Sequence, residues 1–277
     1  MSRVAGCDSR ASQIAFMGTQ PSTSRTDLNS TRFVTISVDD GDPRDFRTAE
    51  LLNKYGLKAT FYIPSRNPER PVMPENQIRE LSGSFEIGAH TINHLPLKSM
   101  AESEAWREIS ESKQWLEDTL GTPAVSFCYP RGKFNSTTPA LIKKAGFLGA
   151  RTCLYNLHTF PRNPFLWGCS THAYSHSKTI QLRHAVLEGN VLGLLNFLST
   201  YKGTTDWQHH FQHALDHVEQ HGGIAHLYLH SWEIDELKQW DRLEETFAAI
   251  SQRRTFTKVT NGNLFQLWKA EHDHARN

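Results

Sequence analysis

The chain has 277 residues, 38% of them hydrophobic, with 30 Lys and Arg against 29 Asp and Glu and a formal net charge of +1. That length accommodates one large domain with a substantial core, or two small ones. The balanced charge leaves no electrostatic footprint for nucleic acid, and the absence of any run of eighteen apolar residues predicts no membrane span.

Residues 1–30 are rich in Ser, Thr, Arg, Gln and Gly and poor in large apolar groups, which predicts a mobile arm. Arg3 and Arg10 flank no continuous apolar core, so no secretory signal is expected and a cytoplasmic location is. Cys7, Cys128, Cys153 and Cys169 form no CxxC pair, and reduced thiols are expected. The run Phe33–Val38 is β-branched and apolar, as in a strand covered on both faces. It stops at Asp39 and Asp40, which have low strand propensity, and Gly41 permits a sharp exit. Arg44–Tyr55 reads as an amphipathic helix closed by Gly56, and Lys58–Ile63 as the next strand. Strand, helix and strand within about thirty residues is a βαβ unit and implies a parallel sheet.

The alternation continues. Helices are expected over Glu75–Leu81, Leu97–Leu120, Thr138–Ala145, Ser177–Leu187, Val191–Tyr201, Asp206–Gln220, Asp235–Arg253 and Asn263–Lys269. Strands are expected over Phe85–Ala89, Ala124–Cys128, Phe147–Arg151, Leu166–Cys169, Gly223–Leu229 and Thr255–Val259. About seven or eight repeats without a linker point to one α/β domain over 31–277, a distorted (β/α)7-8 barrel of parallel strands.

The chemistry gathers at the C-terminal ends of the strands. They end in Asp39-Asp40, in His90-Thr-Ile-Asn-His94, in Tyr129-Pro130-Arg131-Gly132, in Arg151 and in His230-Ser-Trp232-Glu233. If the strands are parallel, these groups share one rim, where barrels of this type keep their active sites. His90 and His94 are four apart and can share a metal on one helical face. Two imidazoles and a carboxylate from another strand end leave a coordination position open, the arrangement of a catalytic metal. A second acid beside it has a use as a base.

Asp39-Asp40-Gly41, His90-Thr91-Ile92-Asn93-His94, Phe127-Cys128-Tyr129-Pro130-Arg131-Gly132 and Leu229-His230 resemble, in this order, the motifs of the polysaccharide deacetylases. That group, carbohydrate esterase family four, includes chitin, chitooligosaccharide and peptidoglycan deacetylases. The likeness covers roughly residues 33–235. It implies a distorted, incomplete (β/α) barrel and metal-dependent hydrolysis of an N-acyl group on a sugar. It implies Asp39 as general base, Asp40, His90 and His94 as metal ligands, and His230 as the general acid for the leaving amine. It implies zinc, with cobalt or nickel compatible with the same ligands, and a backbone N–H near Arg131 at the oxyanion.

Two departures stand out. Many relatives carry Arg-x-Pro-Tyr in the third motif, whereas here Cys128 stands at or beside the arginine's place and Arg131 where the tyrosine would be. Arg151, ending the following strand, is the expected replacement for orienting the base. Trp232 and Glu233, directly after His230, predict a specialised sugar pocket, with Trp232 stacking on a pyranose and Glu233 binding a hydroxyl or amine. Tyr129, Pro130, Arg131 and His172 complete the expected substrate contacts; Trp167 is a candidate for the same role, with a core position as its preferred reading. His209, His213, His217 and His221 recur every fourth residue and read as a solvated helix face. His226, inside an apolar strand, reads as a hydrogen-bonded core residue. Cys128 has no base at a fixed spacing, which disfavours nucleophilic catalysis.

The resulting expectation is a metal-dependent hydrolase that removes an acetyl or formyl group from an amino sugar, an intracellular precursor of a surface glycan such as O-antigen. Hydrolysis of a small non-sugar amide or cyclic imide, and an inactive glycan-binding protein, are the alternatives. Oligomeric state is not legible.

Overall fold

The computed structural model describes Leu28 and residues 30–274. The expected mobile arm lies outside the described residues, apart from Leu28 and Ser30. In chain order, β1 (Arg32–Asp39), α1 (Asp45–Lys54), β2 (Thr60–Ile63), α2 (Glu75–Ser82) and β3 (Glu86–Ala89) lead to α3 (Glu102–Leu120), β4 (Ser126–Cys128), α4 (Thr138–Lys144) and β5 (Gly149–Arg151). Next come β6 (Thr171–His172), α5 (Lys178–Leu187), α6 (Val191–Ser199), α7 (Trp207–His221) and β7 (Gly223–Leu229), and finally α8 (Ser231–Glu236), α9 (Trp240–Gln252), β8 (Thr257–Lys258) and α10 (Asn261–His274).

All strand pairs are parallel, in the order β5-β4-β3-β2-β1-β7-β6. The short segment entering β6 curls the sheet back on itself: Trp167 bridges Arg151 of β5, while Thr171 and His172 pair with Leu227 and Tyr228 of β7. The result is a distorted seven-stranded ring. β8 lies against the first residues of β1, on the edge that β2 takes further along. The fold is thus the single-domain parallel (β/α) barrel that the alternation predicts.

Strand periodicity sorts the side chains. Val34, Ile36 and Val38 of β1 point outward into the apolar layer under the helices, with Phe61, Ile87, Phe127 and Leu229. The alternate positions point into the barrel and are polar. Thr35 Oγ1 donates to Asn261 Oδ1 at 2.8 Å, and Ser37 Oγ lies 2.9 Å from Nε2 of the buried His226. Asn261, at the start of α10, also donates to Tyr62 Oη at 3.0 Å and closes the far end of the barrel. A buried polar interior is stable only when its groups satisfy one another, and these positions do. A smaller apolar cluster of Phe33, Trp167, Ile224, Leu264 and Phe265 packs at that end.

Four expected elements differ. The helix predicted from Leu97 is interrupted: Leu97–Ser99 form a 3₁₀ turn, Met100 and Ala101 are extended, and α3 starts at Glu102. The helix predicted over Asp235–Arg253 is two helices. Lys238 takes a positive φ of 56° between α8 and α9, and Gln239 N–H bonds back to Ile234 O, which ends α8. The strand expected at Leu166–Cys169 pairs with β5 through Trp167 alone and becomes ladder only at Thr171. The last strand shrinks to two residues. In each case tertiary contacts set the boundary where local propensity was permissive.

Gly88 of β3 faces inward, and a Cβ there would lie 2.5 Å from the Tyr62 ring and 2.6 Å from Ser126 Oγ. Gly88→Ala is expected to destabilise the fold by about 1–3 kcal/mol, read as a lowered denaturation midpoint.

Candidate active site

The inward-pointing register delivers one polar side chain from each of several strands to the C-terminal rim. Asp39 is the last inward residue of β1, Arg151 ends β5, and His90 and His230 succeed β3 and β7. Asp40 turns out of the strand at φ 81° while its N–H still bonds Tyr62 O at 3.0 Å. Of seven non-glycine residues with positive φ among the described residues, Asp40, Thr91, His94 and Arg131 lie on this rim. Such conformations are costly and persist where surrounding structure imposes them.

Arg151 is fully buried, and its guanidinium grips both carboxylate oxygens of Asp39. It also lies 4.6 Å over the Tyr228 ring. Burial, the largest single influence, pushes the Asp39 carboxyl up, but the charges of Arg151, His90 and His230 and the Arg151 hydrogen bond together hold it below the ordinary range, so Asp39 is a carboxylate. The arginine comes from the end of β5. Cys128 occupies the inward position on β4, 3.8 Å from Asp39, and burial pushes its thiol well up, which makes it inert as a nucleophile.

Asp40, His90 and His94 converge on one point and are all buried. Asp40 Oδ1 lies 3.0 Å from His94 Nε2 and 3.7 Å from His90 Nε2. Two donors on a tetrahedral zinc at the usual bond lengths sit roughly 3.4 Å apart, so the triad brackets the spacing an ion requires. Asp40 Oδ1 has no hydrogen-bond donor. The remaining Asp40 oxygen accepts from Trp232 Nε1 at 2.8 Å. His90 Nδ1 lies 2.8 Å from Cys128 O, which sets it as the N–H donor and leaves Nε2 with its lone pair toward the triad. Glu108, a buried carboxylate on α3, accepts from the N–H groups of Ile92 and Asn93 and from the Asn93 amide, at 2.7 to 3.1 Å. It holds the loop that carries both histidines. Its place on an amphipathic helix gives no sign of this in the sequence; only its burial does. The donor set fits a divalent metal.

His230 belongs to a second network. Glu233 Oε2 lies 2.8 Å from His172 Nε2 and 3.3 Å from His230 Nδ1, and His172 stacks on Tyr228 at 4.2 Å between ring centroids. Burial opposes protonation of His230, but the Asp40 charge, the Glu233 hydrogen bond and the Asp39 charge push it up to about 9. Burial lowers His172, which leaves it neutral. Glu233, pulled down to about 2 against burial by these two rings, is ionised.

A cavity of about 220 Å³ opens over the rim, floored by Asp39, Asp40, His90, His94 and His230. Arg131 and Glu69, an ion pair, stand on one side and Tyr155, His184 and Glu188 on the other. Ordinary drug-sized pockets occupy roughly 300–1,000 Å³; this one is smaller.

Several expected substrate contacts are corrected by burial. Tyr129 is sealed in the core with its hydroxyl donating to Phe165 O at 2.9 Å, and Pro130 is buried at the start of the turn that projects Arg131. Trp167 packs edge-on against Phe160 and Phe265, remote from the cavity. His172 and Glu233 sit behind His230 and touch each other and it, outside the cavity lining. Trp232 does line the cavity, but Arg70 covers one ring face at 3.3 Å and its N–H is spent on Asp40. Tyr155, Tyr228, Glu69, His184 and Glu188 are additions that strand-end patterning does not reach; the His184/Glu188 pair, four apart on one helix, is the only signal the sequence offers for them. His209 is solvent-exposed on α7, and His226 is buried and hydrogen-bonded.

Fold and site thus define a parallel barrel whose rim holds a candidate metal triad flanked by a buried Asp–Arg pair and a protonated histidine. Residues 27–150 match the family model of polysaccharide deacetylase. A peptidoglycan-N-acetylglucosamine deacetylase of Bacillus cereus is 27% identical over 157 residues, spanning 54% of this chain and 70% of that protein. A family 4 acetyl xylan esterase from Clostridium thermocellum, solved with a cobalt ion, is 17% identical over 85% of this chain and 91% of its own, with a TM-score of 0.52. A Streptococcus pyogenes deacetylase solved with acetate is 22% identical and has a TM-score of 0.44; the match covers 48% of this chain and 61% of that one.

Two outcomes are expected. Arg151→Met leaves Asp39 buried without its cation and should cost about 3–5 kcal/mol in unfolding free energy. Glu233→Gln removes a partner that favours the His230 imidazolium. Because His230 is raised, its charged form prevails below about 9 and is lost as pH rises through that value. The alkaline limb of any His230-dependent activity should therefore move to lower pH, by roughly one unit.

Proposed function

We propose that this protein is a metal-dependent hydrolase that removes an acetyl or formyl group from the nitrogen of an amino sugar. The observation that carries this reading is the convergence of Asp40, His90 and His94 beside an ionised Asp39 and a protonated His230 on the floor of a small cavity. Asp40 Oδ1 and the Nε2 atoms of His90 and His94 would hold the ion. When bound, a divalent ion there supplies a Lewis acid for the acyl carbonyl and makes water nucleophilic near neutral pH.

The chain's own groups divide the proton transfers. Asp39, fixed by Arg151, accepts a proton from the attacking water as the new C–O bond forms at the acyl carbon. His230 donates its proton to the sugar nitrogen as the C–N bond breaks, so that amine and carboxylate leave as products. Glu233, supported by His172, keeps His230 charged for that step. The turn at Arg131, whose own bonds use the N–H groups of Gly132 and Lys133, presents backbone to the developing oxyanion. Zinc suits two imidazoles and a carboxylate, and cobalt or nickel suits them also. The small cavity favours a precursor unit over an internal position in a polymer. We place the enzyme in the cytoplasm, in assembly of a surface glycan such as O-antigen.

Metal analysis of purified protein should return about one equivalent of a divalent ion, and His94→Ala should lose it. Asp39→Asn should retain the ion yet lower turnover by about 10²–10⁴-fold, read as acetate or formate release from N-acyl amino sugars. Full turnover by Asp39→Asn would place the base elsewhere. Metal binding and sugar binding without release would identify a glycan-binding protein instead.

A further inference from the structure

Eight of the eleven large apolar side chains exposed among the described residues lie on one helical hairpin, α5–α6. Val186, Leu187, Val191 and Leu198 are 73%, 67%, 66% and 61% exposed, with Ile180, Leu182, Leu192 and Leu195 beside them. A surface helix ordinarily turns its apolar stripe inward. This hairpin seats Phe197 and Ala185 inward and leaves most of its other large apolar groups outside. Polar contacts also hold it: Asn190 Nδ2 donates to Tyr155 O at 2.9 Å, Asn196 Nδ2 to Asn156 O at 2.8 Å, and Glu188 pairs with Lys133 at 3.1 Å. Its helix starts are capped by its own Ser177 and Asn190, so the arrangement is built in locally.

The charges on the hairpin add a sign. Lys178, Arg183 and Lys202 are exposed, and among the described residues 177–203 the one acidic side chain, Glu188, is turned inward against Lys133. Exposed apolar side chains interspersed with basic groups and no outward-facing acid are complementary to an anionic lipid surface. A second copy of this chain would bring the same three cations into opposition. The inner side of α5 supplies His184 and Glu188 to the wall of the rim cavity. The same helix thus carries the outward apolar groups on one side and part of the cavity wall on the other.

We infer that α5–α6 docks the protein on an anionic membrane surface and that the sugar reaches the cavity attached to a lipid anchor; the second half of this rests on the deacylase reading above. No described helix is long and apolar enough to cross a membrane; the attachment inferred for the hairpin is interfacial and reversible.

The test is co-sedimentation of the full chain with phosphatidylcholine vesicles, with and without phosphatidylglycerol. Binding should require phosphatidylglycerol and weaken with added salt. Val186→Asp/Leu187→Asp, and separately Lys178→Glu/Arg183→Glu/Lys202→Glu, should each lower the partition coefficient by about tenfold or more. Both variants should keep the circular dichroism spectrum and the turnover of a soluble N-acyl sugar, since none of these residues lines the cavity. Failure of the native chain to bind phosphatidylglycerol vesicles overturns the inference. So does a solution dimer that Val186→Asp/Leu187→Asp dissociates, which would assign the surface to a second copy. Vesicle binding is read without any reaction, so its failure leaves the deacylase reading intact, whereas absent acyl release on soluble and lipid-linked sugars alike would remove that reading and leave the docking surface standing.

Discussion

The ion pair between Asp39 and Arg151 is the constraint on which the rest of the site depends. A guanidinium with no solvent exposure is tolerable only with a partner that repays its desolvation, and Asp39 is the carboxylate in reach. The pair ties the end of β1 to the end of β5, on opposite sides of the barrel interior. It keeps Asp39 ionised in a place where burial alone would protonate it. It also frees Asp40, the next residue, to turn the other way. Two adjacent carboxylates thereby acquire different environments and different protonation chemistry, which is how a site separates a base from a ligand.

Around that pair the polar interior of the barrel acts as a scaffold. Thr35, Ser37, His226, Tyr62 and Asn261 satisfy one another below the rim, and Tyr228 lies between Arg151 and His172. Glu233 links His172 to His230, and Trp232 links α8 to Asp40. The short helix after β7 therefore serves both halves of the site, orienting the candidate metal ligand and charging the candidate acid. The positive φ values at Asp40, Thr91, His94 and Arg131 are local strain that this packing over-determines.

The α5–α6 hairpin obeys a different logic. The barrel elements bury apolar faces and expose polar ones, while the hairpin buries few of its apolar groups and leaves leucines and valines in solvent. Soluble proteins keep exposed apolar patches small, and a concentrated one marks an interaction surface. Its contact with the cavity wall through His184 and Glu188 joins that surface to the proposed chemistry.

Much of this was legible in the chain itself. Alternating strand and helix periodicity set the parallel barrel, because parallel neighbours need a crossover connection and each strand here is followed by one of helical length. The acids and histidines at strand ends announced the rim, and the displaced arginine at position 151 could be nominated because it too closes a strand. Tertiary structure decided what periodicity cannot reach. It turned Tyr129 into core, settled Trp167 there and hid Pro130, since a ring beside a site looks the same in sequence whether it faces a ligand or a neighbour. It moved His172 and Glu233 behind His230, brought Glu108 under the histidine loop, and split two expected helices. It also showed which face of α5–α6 is outward. Hydropathy along a chain records which side chains are apolar; only the packed fold decides which of them are left uncovered.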